Sequence, residues 1–275
     1  MTAGSLASWL RCPICGRDLD ALGDEVLGCS SGHRFDVSKR GYAGLLVGKA
    51  AAARPVTVGQ LDALDPLFAA GLFTTTTDAL DAVLPRTAEA RILDAGSAAG
   101  HLLGPILANR SRAGALAVGD SPAVVARSMR NSRSDGLLCD TAHDWPVRDG
   151  TATAVVNLLA PHRPAEFHRL LAPGGVFIAA VAGYDHLAEL RPAGEYPEWR
   201  DAAAELVDDV FPWFEHDQSR TVTEQHETSG ATGPALVEAR ELIGGTATAR
   251  AVEPPAGSIT IDLTVIRFRR RRRPV

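Results

Sequence analysis

Apolar positions along this chain follow more than one rhythm, and each predicts a different kind of element. From residue 91 onward, short apolar runs occur at 91–95, 115–119, 136–139, 154–159 and 176–181, separated by segments of helical spacing. Runs this short suit buried strands, and the connections between them are long enough to hold helices. Together they predict a doubly wound, mostly parallel α/β sheet. Residues 258–266 alternate apolar and polar one by one, as a half-buried antiparallel strand does. Between residues 61 and 84 the spacing is helical but interrupted by Pro66, Gly71 and the run Thr74 to Thr77, so two helices are expected rather than one. Pro105 is compatible with a helix only in its first turn. Residues 35–46 alternate as strands of a small β-rich N-terminal module would, and the stretch 48–58, rich in alanine with Pro55, reads as a linker. The expected organisation is a module over 1–47, a linker over 48–60, an α/β domain over 61–268 and an Arg-rich tail over 269–275.

Composition adds limits to this outline. A hydrophobic content of 45% over 275 residues supports a globular protein with a sizeable core. No apolar run is long enough to span a membrane, and no basic-then-apolar leader opens the chain, so a soluble, cytoplasmic protein without membrane partners is expected. The net charge of −5 includes the cluster Arg267, Arg269, Arg270, Arg271, Arg272 and Arg273; without it the body is more acidic still. Such a body does not advertise nucleic-acid binding, whereas the Arg cluster reads as a solvated tail that could add salt-sensitive affinity for RNA.

The sharpest chemical signal is Cys12-Pro13-Ile14-Cys15, followed by Cys29 and His33. Two close pairs of this kind form two knuckles around one tetrahedral ion, and with all four positions filled by protein the Zn²⁺ is structural. Gly16 and Gly32 stand beside the ligands, where a knuckle needs unusual backbone torsions. Three of the four cysteines are used, which leaves Cys139 outside the site and no disulfide framework.

A second constellation follows the first strand of the α/β domain. Asp94-Ala95-Gly96-Ser97-Ala98-Ala99-Gly100 is close to the D-x-G-x-G-x-G loop in which methyltransferases seat S-adenosylmethionine, with Ala98 at the middle glycine. Asp94, Gly96, Gly100 and the adjoining His101 are the expected cofactor residues on this loop. Asp120 ends the second strand, where a carboxylate can take a ribose diol, and Asp140 follows the third, where one can meet the adenine amine. Helix capping or loop solvation is the plainer role for either aspartate. Asn157, on the fourth strand, is the candidate for positioning the substrate base. Leu171-Ala172-Pro173-Gly174-Gly175 then leads into the fifth strand, a turn typical of the same fold.

Taken in order, the zinc set with His33-Arg34-Phe35-Asp36 and Lys39-Arg40-Gly41-Tyr42, then Asp94-Ala95-Gly96, Ala160-Pro161, Pro164-Ala165-Glu166-Phe167 and His186-Leu187-Ala188-Glu189-Leu190, resemble the bacterial 23S rRNA guanine-N1 methyltransferases, macrolide-resistance members included. The resemblance covers nearly the whole chain. It implies a class I methyltransferase domain that binds S-adenosylmethionine, a zinc module that recognises an rRNA hairpin, and methyl transfer to a guanine N1 in that hairpin. A homodimer is compatible with it. The chain departs from the family pattern in its alanine-rich linker, at Ser97-Ala98 and at Gly233-Pro234-Ala235. These departures keep open a small-molecule methyltransferase, a non-methylating enzyme on the same fold, or a binding protein without catalysis.

Overall fold

The computed structural model of the chain describes residues 3–47, 56–87, 89–191, 201–228, 230–245 and 257–273. A short helix α1 (Ala3–Ala7) precedes three strands, β1 (Asp20–Ala21), β2 (Val26–Gly28) and β3 (Arg34–Asp36), which form an antiparallel sheet in that order. Strands of two or three residues cannot bury a core of their own. Leu6, Trp9, Leu10, Leu19 and Leu27 therefore pack into one cluster with Leu93, Leu116, Val155 and Phe177 beneath the larger sheet. The Arg91 guanidinium lies 3.8 Å over the Trp9 ring, and Arg148 donates to the carbonyls of Leu10 and Leu19. Only the first part of the alternating stretch 35–46 joins the small sheet. Beyond Gly41, at φ 89°, β4 (Tyr42–Gly44) leaves it and pairs in parallel with the edge of the large one.

Of the segment read as a linker, residues 48–55 lie outside the described residues, and its last part enters a helix. Thr57 caps α2 (Val58–Ala69) through a reciprocal pair of bonds, its hydroxyl accepting from the Gln60 N–H and the Gln60 side chain accepting from the Thr57 N–H. Pro66 sits inside α2 without ending it; the chain breaks at Gly71 and at Phe73, both at positive φ, before α3 (Thr74–Val83).

The α/β part proceeds through β5 (Arg91–Asp94), α4 (Gly104–Ala108), β6 (Gly114–Gly119), α5 (Pro122–Ser132), β7 (Asp135–Leu138), β8 (Ala152–Leu158), α6 (Pro164–Leu170), β9 (Leu171–Ala182), α7 (Ala202–Val210), β10 (Phe214–Glu227), α8 (Thr232–Ala239) and β11 (Ser258–Arg270). All five expected parallel strands are present, and Pro105 lies in the first turn of α4. The eight-stranded sheet has the order β10-β11-β9-β8-β5-β6-β7-β4, with β11 antiparallel to both of its neighbours and the rest parallel. Strand order reverses between β5 and β8, and a crevice at such a reversal, outside the C-terminal strand ends, is where open α/β sheets take ligands. β10 has no counterpart in the sequence reading. Phe214 and Val222 are its buried residues, so it carries no apolar alternation, and it is held instead by its long ladder to β11.

β11 also runs beyond the apolar alternation, into the arginine cluster. Arg267 and Arg269 both reach Asp217, while Arg271 bonds Glu215 and lies 4.8 Å over the Phe211 ring. The start of the expected tail is thus part of the sheet, between β10 and β9, because Asp217 and Glu215 on β10 offer Arg267, Arg269 and Arg271 partners. Among the described residues, no helix is long and apolar enough to cross a membrane.

Candidate cofactor crevice and metal centre

Both knuckles of the N-terminal module are closed in the same way. The Gly16 N–H bonds the Cys12 carbonyl at 2.9 Å and the Gly32 N–H bonds the Cys29 carbonyl at 2.9 Å, with the two glycines at φ 71° and 85°. The four donor atoms of Cys12, Cys15, Cys29 and His33 lie within 4.8 Å of one another. Cys15 Sγ is 3.7 Å from Cys29 Sγ, and His33 Nδ1 is 3.5 and 3.4 Å from the sulfurs of Cys12 and Cys29. A tetrahedron with Zn–S bonds of about 2.3 Å has edges of roughly 3.8 Å, so this donor set fits a structural zinc ion. The Arg17 backbone N–H, helped by the Ser31 hydroxyl, draws the Cys15 thiol down to about 6, towards the thiolate that a metal requires. Cys139 is buried outside the cluster, and that burial pushes its thiol up.

At the C-terminal ends of β5, β6 and β8 lies a cavity of about 640 Å³, lined on one side by the turn from Asp94 to Ala99. Asp94 is buried, accepting at 3.0 Å from the Gly96 N–H and at 2.6 Å from the Ser97 hydroxyl, and desolvation raises its carboxyl above the usual carboxylate range. Gly96 has φ 139°, and a Cβ there would stand 2.7 Å from the Ala160 Cβ; at Gly100 it would stand 2.8 Å from the Ser128 carbonyl. Only glycine fits these two positions. Ala98 and Ala99 follow the same left-handed path at φ 50° and 52°, at the steric cost of their methyl groups.

Of the residues expected from the sequence, Asp94, Gly96 and Asp120 border this cavity. Asp120 stands exposed at the end of β6, with the Thr141 hydroxyl 3.3 Å away. Gly100 closes the turn against α5. His101 lies behind the turn, with Nδ1 2.7 Å from the Ala98 carbonyl, Nε2 2.9 Å from Asp65, and its ring stacked on Phe68, so it ties the loop to α2. Asn157 is buried and donates to the carbonyls of Ala95 and Pro161, joining two turns that line the cavity. Asp140 accepts from the Ala142 N–H and pairs with His143, which together hold its carboxyl below the usual range. It borders a neighbouring cavity of about 840 Å³ against the first zinc knuckle.

Several lining residues escaped the sequence reading: Trp145, Thr141, Arg163, Leu61 and Glu241. Trp145 is fixed by Glu166, which accepts from its backbone N–H at 2.7 Å, and by its own indole N–H on the Thr141 carbonyl. The Pro164-Ala165-Glu166-Phe167 segment therefore acts through Glu166 on the crevice wall. No local pattern marks Leu61 or Glu241, which reach the cavity from α2 and from a 3₁₀ turn, Arg240–Ile243, far away in sequence.

Residues 10–49 match the zinc-ribbon family described as RlmA, N-terminal. A 23S rRNA (guanine(748)-N(1))-methyltransferase from Streptomyces fradiae is 32% identical over 217 residues, covering 77% of this chain and 77% of that protein. A relative from Micromonospora griseorubida, provisionally named for 23S rRNA guanine-N1 methylation, is 31% identical over 201 residues, covering 66% and 68%. Among solved structures, a provisionally named methyltransferase from Bacillus halodurans C-125 superposes with a TM-score of 0.50 at 13% identity, covering 71% of this chain and 98% of that one, a likeness of fold alone.

Proposed function

Since this chain belongs to the family of 23S rRNA (guanine-N1)-methyltransferases, we propose that it methylates N1 of a guanine in a hairpin of 23S rRNA. It is an S-adenosylmethionine-dependent methyltransferase with a structural zinc ribbon. The observation that supports the reading best is the cavity itself, in which a backbone-lined turn, a strand-end carboxylate and the Leu158 to Pro161 turn border one space of about 640 Å³. Its walls fit the cofactor: Gly96 presents bare backbone, Asp120 can take a ribose diol, and Trp145 with Thr141 forms an edge for an adenine.

S-adenosylmethionine supplies an electrophilic methyl group. The protein's own task is to place an acceptor nitrogen in line with it, and orientation of that kind accounts for a large share of the barrier in such transfers. Asn157 holds the Pro161 carbonyl and the Ala95 carbonyl at a fixed separation, which sets the substrate side of the crevice against the cofactor turn. A guanine reaches this depth only after leaving its stack. The zinc ribbon, packed on the same core as the sheet, presents the surface that meets the hairpin.

The test compares rRNA from a strain lacking this gene with rRNA from its parent, read by mass spectrometry for N1-methylguanine. Loss of one modified guanine is the expected result. Identical modification in both strains, with S-adenosylmethionine binding intact in vitro, transfers the assignment to a small-molecule acceptor.

A further inference from the structure

With a net charge of −5, the chain has little positive surface to offer a polyanion, so a place where unpaired arginines converge is informative. Such a place lies between the zinc ribbon and α5. Arg40, from the turn that follows β3, borders a cavity of about 550 Å³ together with Arg127 and Arg130 of α5. Arg127 is buried, and its charge is answered by Asp62 and Asp65, neither of which borders the cavity. Arg40 and Arg130 are exposed, and among the described residues neither guanidinium has an ion-pair or hydrogen-bond partner.

The turn carrying Arg40 is fixed in place. The Ser38 hydroxyl accepts from the N–H groups of Arg40 at 3.2 Å and Tyr42 at 3.3 Å, and the Gly41 N–H bonds the Ser38 carbonyl at 2.7 Å. Gly41 sits so near α5 that a Cβ would stand 3.2 Å from the Met129 Cε. The ribbon thus brings Arg40 to the rim on which α5 places Arg130. Between the arginines the groove is aliphatic, with Val58 and Leu61 of α2 and Met129 in its walls. Among the described residues that line it there is no aromatic ring to stack a base and no carboxylate or amide to read a base edge. Charge without base-reading groups suits a phosphodiester backbone, which guanidinium groups bind irrespective of sequence. The groove also adjoins the crevice: Leu61 borders both cavities, and α5 turns Val124 and Ser128 to the cofactor side while Arg127 and Arg130 face the groove. One helix, roughly 10 Å across, separates the two.

We propose that this groove binds the phosphate backbone of the RNA substrate, with Arg40 and Arg130 as its contact residues. This deepens the rRNA reading and rests on it. The groove holds the strand beside the crevice while a neighbouring guanine leaves its stack and enters. Because one arginine comes from the ribbon and the other from the α/β part, RNA bound here engages both at once.

The experiment follows binding of a transcribed 23S rRNA hairpin by fluorescence anisotropy between about 50 and 200 mM salt. Arg40→Gln and Arg130→Gln should each weaken binding by on the order of tenfold at the lower salt, and each should reduce the slope of log affinity against log salt by about 1. Arg130→Lys, which keeps the charge, should retain the slope. An unrelated hairpin should lose as much affinity as the 23S hairpin, and KM for RNA should rise with kcat kept. Neither arginine has a partner to lose, so the thermal midpoint and S-adenosylmethionine affinity should stay at their wild-type values. Arg112→Gln, which removes an exposed cation just before β6, should leave RNA affinity unchanged. Unchanged affinity and slope in the Arg40→Gln, Arg130→Gln double variant overturn the inference while leaving the rRNA assignment standing. An equal loss in Arg112→Gln overturns it too, because overall charge would then account for binding, and a loss confined to the 23S hairpin overturns the backbone contact. A wild type that binds RNA through these arginines yet leaves guanine N1 unmethylated supports the groove and overturns only the proposed modification.

Discussion

Ala98 and Ala99 take left-handed backbone angles that cost an L-residue about 1–2 kcal/mol each, yet the Asp94 turn closes as its sequence motif requires. Two contacts offset the strain: the His101 ring on the Ala98 carbonyl, and the Asn131 amide on the Ala99 carbonyl at 3.1 Å. Ala98→Gly should therefore stabilise the protein by roughly 0.5–1 kcal/mol, read as a rise in thermal midpoint, because glycine adopts this angle freely and loses only part of that gain to its greater unfolded-state entropy. A lower midpoint would show that the Ala98 methyl contributes packing that outweighs its strain. Asp120 poses a different question, since it stands exposed and its value lies in what it binds. Asp120→Ala should weaken S-adenosylmethionine by on the order of a hundredfold in calorimetry through loss of two charge-assisted hydrogen bonds; an unchanged dissociation constant would place the ribose elsewhere.

Among the elements, the zinc ribbon illustrates how little a set of two- and three-residue strands can do alone. Its apolar residues are shared with the underside of the large sheet, and β4 continues directly into that sheet. Cys12→Ser should abolish stoichiometric zinc in metal analysis and should also lower the single unfolding midpoint of the whole chain, because the two parts share one core. A separate, low-temperature transition with the main one unmoved would show instead that the ribbon unfolds independently. The 3₁₀ turn carrying Glu241 depends on His186 in a comparable way. Desolvation lowers the His186 pKa, with the Ile243 carbonyl on Nε2 opposing that shift and Asp262, Arg191 and Glu189 nearby; Nδ1 accepts from the Asp262 N–H at 3.2 Å. The unfolded imidazole protonates near 6.5 and the folded one lower, so the unfolded chain holds more protons in that window. Stability should fall as pH drops below about 6.5, and His186→Gln should flatten this slope in denaturant titrations at pH 7 and pH 5. An identical slope in the variant would assign the acid sensitivity to other groups, the buried His168 first among them.

For the molecule as a whole, the sequence by itself determined what local chemistry controls. The five parallel strands are legible because burial on both faces leaves short apolar runs, the two knuckles because zinc needs its ligands in close pairs, and Gly96 and Gly100 because their backbone lies where no Cβ fits. What only the tertiary structure decided are the contacts made across long stretches of chain. β10 is a strand because β11 supplies its ladder, not because its own residues alternate, and the same pairing draws Arg267, Arg269 and Arg271 from an expected tail onto Asp217 and Glu215. His101 and Asn157, both singled out in the sequence, stand behind the crevice and fix its turns, while Leu61, Trp145 and Glu241 border it without any local signature. A residue's distance from the cavity depends on how helices and turns far apart in sequence stack on the sheet, and one-dimensional spacing holds no record of that packing.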